Sequence, residues 1–205
     1  FLAGLEWVHA PWQESHKGAG FYAALVLTGQ TTSEWEDWYF AWLWNASDPI
    51  TGFWRKDSVQ AADAKPLFHH LAGSFHYLFN HEYARRPLRY PERMVDSCID
   101  MYRQRLYPSL GHAMGFAEID WVFCLHRALR QCGHRFAESK QALRDFAAEY
   151  TDYLFGIHYA EDDGWNDLHL LFGSVCALAE LQQALPGEIR TDIPLRLVLD
   201  RRPFI

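Results

Sequence analysis

Three histidines and one aspartate recur along the 205-residue chain at nearly even intervals: His16, His69, Asp120 and His169, separated by 53, 51 and 49 positions. Each opens a related decapeptide, HKGAGFYAAL, HHLAGSFHYL, DWVFCLHRAL and HLLFGSVCAL. Four places on stand Gly20, Gly73, Cys124 and Gly173, and nine places on stand Leu25, Leu78, Leu129 and Leu178. Imidazoles and carboxylates are the side chains of acid–base chemistry near neutral pH and of metal ligation. Their recurrence at one register implies repeated structure, with about 50 residues to the unit.

The elements that carry these residues are helical. Apolar side chains return at three- and four-residue steps over 16–29, 33–46, 66–82, 91–105, 118–132, 136–155 and 167–185, which predicts seven helices and no strand. Gly29 and Gly133 suit helix stops, Pro91 a helix start, and Pro186-Gly187 the end of the last helix; the tail from Glu188 is unassigned. The helices headed by His16, His69, Asp120 and His169 are apolar nearly all round, whereas FAESKQALRDFAAEYTDYLF is amphipathic, with Glu138, Lys140, Arg144 and Glu149 free to face water. Helices apolar on every side are surrounded by protein, and amphipathic ones face solvent. Alternating inner and outer helices predict an all-α domain over residues 1–205, built as an α/α toroid or solenoid with about four inner and three or more outer helices. The chain opens on Phe1 rather than Met, so the expectation includes missing N-terminal residues and a partial barrel.

On these grounds the sequence resembles the α/α-toroid enzymes, which include six-hairpin glycosidases, polysaccharide lyases, and terpenoid cyclases with protein prenyltransferases. The stretches SDPITGFW and EDDGW are similar to the Asp-Gly-aromatic turns of such proteins. The resemblance implies a site on the rim that carries the inner-helix N-termini. That rim would gather His16, His69, Asp120 and His169 with the loop residues Asp48, Trp54, Arg55, Lys56 and Asp57, then Tyr107, His112 and Glu118, then Asp162, Asp163, Trp165 and Asp167.

Three chemistries compete for the rim. A saccharide would stack on Trp12, Trp54 and Trp165, with His16, His69 and Arg55 as further binding groups and with Glu118, Asp120, Asp163 and His169 as catalytic candidates. Glycoside hydrolysis needs two carboxyl groups about 5 to 10 Å apart, while a lyase needs a base such as His and a cation to hold a uronate. Many histidines and few paired acids favour the lyase. A zinc-like ion on three imidazoles and Asp120 would need four inner helices to converge within a few ångströms, so no metal site is assigned. An isoprenoid substrate is the third: YAEDDGW departs at Ala160 from the DxDD of terpenoid cyclases, and Asp96-Ser97-Cys98 with His169 matches the zinc ligands of prenyltransferases only in outline.

The same recurrence is also explained without chemistry. Asp120 or Ser15 can cap a helix start, and glycine four places on can let helices approach. A non-enzymatic scaffold is then the alternative function. His70 and His76, read as lying on other faces than His69, are assigned to the core, and the DRRPF tail to surface ion pairing or docking.

Bulk composition narrows the partners. A net charge of −7 with no basic run excludes a nucleic-acid surface. No apolar run reaches the ~18 residues of a membrane span. Nine Trp in a chain that is 16% aromatic mark it for lining a small-molecule or saccharide site. Cys98, Cys124, Cys132 and Cys176 form no CxxC pair and read as buried free thiols, which places the protein in a reducing, cytoplasmic setting. The sequence names no cofactor and no oligomeric state.

Overall fold

The structure, a computed structural model, describes residues 1–108, 116–158, 160–161 and 166–204. Among these residues a short 3-10 turn at Leu2–Gly4 is followed by seven helices: α1 (Pro11–Leu27), α2 (Ser33–Ala46), α3 (Leu67–Ala84), α4 (Pro91–Arg103), α5 (Ala117–Cys132), α6 (Phe136–Gly156) and α7 (Leu168–Ala184). No strand occurs among the described residues, and the protein is all-helical.

Local chemistry sets the helix ends. Pro11 and Pro91 occupy the first positions of α1 and α4, where a missing N–H costs nothing. The side chain of Thr32 accepts from the Trp35 N–H to cap α2, and Asp167 accepts from the N–H groups of His169 and Leu170 to cap α7. Gly133 closes α5 at φ 65°, a left-handed conformation that glycine adopts without strain. The start of α1 differs from the periodicity reading. Pro11 begins the helix five residues before His16, so His16 stands in the second turn, whereas His69 and His169 stand in the first.

Helix α1 packs on α3, α3 on α5 and α5 on α7, and α6 touches α4, α5 and α7. From His70 to His81 every residue of α3 is buried, as is every residue of α5 from Glu118 to Leu129, so these helices are enclosed by protein. Helices α2, α4 and α6 each keep a face in water, and so do α1 and α7, whose apolar composition predicts enclosure but which expose Phe21, Leu27, Leu168, Phe172 and Val175. Gly73 lets α3 close on α1: a Cβ there would lie 2.8 Å from the Pro11 carbonyl oxygen. Gly20, its counterpart in the repeat, faces open space.

The turn SDPITGFW is a packed structural element. Asp48 Oδ2 accepts from the backbone N–H and the hydroxyl of Thr51, at 2.8 and 2.7 Å. Gly52, at φ 77°, brings this turn against the start of α4, where a Cβ would sit 2.5 Å from Met94 N. Deeper in, Arg127 of α5 is fully buried and forked onto Glu180 of α7, with Glu82 of α3 and Asp200 of the tail completing the network. All four cysteines are free; three are buried and Cys132 is partly so. Among the described residues no helix is long and apolar enough to cross a membrane.

Candidate functional site

Side chains from α1, α3, α5, α7 and the C-terminal segment surround a cavity of about 880 Å³. Its walls are mostly apolar, with Phe75 and Phe79 from α3, Phe116 and Ile119 at the start of α5, Phe172 from α7, and Phe204 from the tail. The mouth is open to water, since Leu168, Phe172 and Val175 line the cavity yet remain 84%, 40% and 41% exposed. The tail is fastened as a wall: the Phe204 N–H donates to Asn80 Oδ1 at 2.7 Å, and Asp200 joins the Arg127 network.

Polar groups of two kinds interrupt this wall. The His16 and His76 rings meet edge to face with centroids 4.2 Å apart, and the Phe204 ring lies 4.2 Å from His76. Arg202 lies over the Phe172 ring at 5.6 Å. His169 belongs to the same wall and rests on Phe116, centroids 3.6 Å apart. Ser15 Oγ is 2.5 Å from the Trp12 carbonyl oxygen and 2.7 Å from His76 Nδ1. A hydroxyl has one proton; when it goes to Trp12, Nδ1–H of His76 donates to Ser15 and Nε2 becomes the acceptor. Burial, reinforced by His16 and His169, holds the His76 imidazole well below its ordinary pKa, so it is neutral at pH 7.

Asp120 is of the second kind. It is 1% exposed, its Oδ2 has no hydrogen-bond partner, and it does not cap α5, because it stands in the fourth helical position. Burial, with Glu118 adding like-charge repulsion, pushes its carboxyl well above the usual range. A neutral carboxylic acid in an apolar wall is a hydrogen-bond donor and a proton source.

Several residues expected at the rim lie elsewhere. Trp54 is not a stacking platform: it is buried at 2% exposure, its indole N–H donates to the Leu43 carbonyl at 2.7 Å, and its ring stacks on His81. Arg55 follows it away from the cavity, reaching the Ala3 carbonyl and lying over Trp42. His69 stays outside the cavity between Phe68 and Trp12, with centroids 4.0 and 6.0 Å away. Glu118 is buried outside the cavity wall and its Oε2 is unpartnered. Residues two apart on a helix do not share a face, so Glu118 and Asp120 cannot flank one glycosidic bond. Asp96 pairs with His134 and Arg135, and Cys98 is in the core, so neither joins His169. Trp12, His16, Asp120 and His169 do line one cavity. Asp162, Asp163, Trp165 and His112 lie outside the described residues.

His76 and Arg202 are among the cavity residues that sequence reasoning missed, with Gln13 and the phenylalanines of the wall. His76 follows His69 by seven residues, two full turns, and so shares its face of α3 rather than lying on a different one, but stands about 10 Å further along the helix. Nothing in DRRPF marks Arg202 as a cavity residue, because tail docking depends on Asn80 and Arg127 far away in sequence. Among the described residues no group of three or more His, Cys, Asp or Glu is arranged to hold a metal ion. Compared with protein-family models, curated proteins and solved structures, the chain has no significant match in any of the three.

Proposed function

We propose that α1, α3, α5 and α7 are the inner helices of an α/α-toroid-like arc, and that the cavity between them binds a small molecule with an apolar body. The observation that carries this reading is the wall itself: about 880 Å³ lined chiefly by phenylalanine and aliphatic side chains, a size typical of ligand pockets. Such a wall rewards removal of apolar ligand surface from water and offers few partners for hydroxyl groups. An isoprenoid or another long-chain molecule meets that requirement. Neutral Asp120 is the group placed to donate a hydrogen bond or a proton to such a ligand, and His76 the group placed to accept one.

A saccharide is the second reading, favoured by the mouth rather than the interior. Trp12 is half-buried there with Gln13, His16 and His169 beside it, an aromatic face ringed by hydrogen-bonding groups. A lyase-type proton abstraction by histidine would be its chemistry.

The two readings separate in one assay. Binding of the neutral fluorophore aminoanthracene is followed by its emission, and decanol, maltopentaose and polygalacturonate are tested as competitors. Displacement by decanol alone supports the apolar ligand; displacement by either carbohydrate alone supports the saccharide; absence of fluorophore and carbohydrate binding rejects both.

A further inference from the structure

The cavity wall carries one permanent charge among its described residues, and it is positive. Arg202 has no carboxylate partner among them: Asp200, two residues earlier, is taken by Arg127. Asp120, the acid in the same wall, is held neutral by burial. Asp167, close to His169, spends its Oδ1 on the N–H groups that it caps. His16, His76 and His169 belong to the same wall, and among the described residues their rings meet no carboxylate side chain at hydrogen-bonding distance.

Resting on the reading of the cavity as an apolar ligand site, we propose that its ligand carries one carboxylate, held by Arg202, with the hydrocarbon or aryl body against Phe75, Phe79 and Phe172. The guanidinium fork matches a carboxylate with two parallel N–H···O bonds. One fixed cation suits one negative charge. Water leaves the apolar wall as the chain of the ligand enters.

Calorimetric titration of the full chain at pH 8 with decanoate, decanol and decyltrimethylammonium tests the inference. Decanoate is expected to bind roughly tenfold or more tightly than decanol, the scale of a charge-assisted hydrogen bond, and the cation most weakly. In Arg202→Gln the ratio of the decanoate and decanol constants falls to about one, while Arg202→Lys keeps part of it. Equal binding of decanoate and decanol, or a ratio unchanged in Arg202→Gln, overturns the carboxylate assignment and leaves the apolar cavity standing. Binding of none of the three overturns both.

Discussion

Ser15 Oγ of α1 lies 2.7 Å from His76 Nδ1 of α3, so the contact that joins these two helices also orients an imidazole of the cavity. Gly73, three residues before His76, has no side chain to hold α1 away; a Cβ there would stand 3.5 Å from Ser15 Oγ and closer still to the Pro11 carbonyl. Both members of the pair are buried. Ser15→Ala therefore leaves a buried ring nitrogen without its partner and costs about 1 to 3 kcal/mol. Urea denaturation of the variant checks this, with an unchanged midpoint as the contrary result.

The repeated glycines have unequal roles. Gly73→Ala forces a Cβ to 2.8 Å from backbone and lowers stability, by about 1 to 3 kcal/mol on the scale of overpacked contacts. Gly20→Ala meets nothing within 4 Å inside α1 and raises stability by roughly 0.5 to 1 kcal/mol, through better helix propensity. Thermal melts of the two variants should move in opposite directions. A common fall would mean that Gly20 is also a close-contact site.

Periodicity located the helices because each buries a stripe that only helical spacing can assemble; α2 was read as 33–46 and spans Ser33–Ala46. It read α1 five residues short, since Pro11 through Ser15 carry no apolar stripe of their own and are helical through proline at the first position and contacts with α3. The register of the repeat found His16, Asp120 and His169 on one wall but misplaced His69 and passed over His76, because matching positions in sequence is not matching height along a helix. Trp54 looked like a stacking surface from its turn motif. Its burial depends on Leu43 and His81, partners that no local spacing reveals.

Glu118 supplies a pH signature. Burial raises its pKa from 4.5 to about 7 in the folded protein, so between these values the unfolded chain gives up a proton that the folded one keeps. Its contribution to stability is complete below pH 4.5, falls as pH rises to 7 and is level above, for a total of roughly 3 kcal/mol at most. Glu118→Gln cannot titrate. Its stability relative to the parent should therefore climb between pH 4.5 and 7 and then hold constant. Denaturation of both proteins at pH 4, 5.5, 7 and 8 gives the comparison, and a difference independent of pH would show that Glu118 is not protonated in the fold.

If the cavity among α1, α3, α5 and α7 takes an apolar ligand, a bound one should be found inside it. Crystals soaked in bromodecanol give an anomalous bromine signal that does not depend on a prior view of the ligand. One ordered bromine is expected inside the cavity, within van der Waals reach of Phe75, Phe79 or Phe172, with its occupancy lost in Val175→Trp, which narrows the mouth from an exposed position. A cavity without bromine at saturating ligand, or bromine bound only on the outer faces of the helices, would rule out an apolar ligand there.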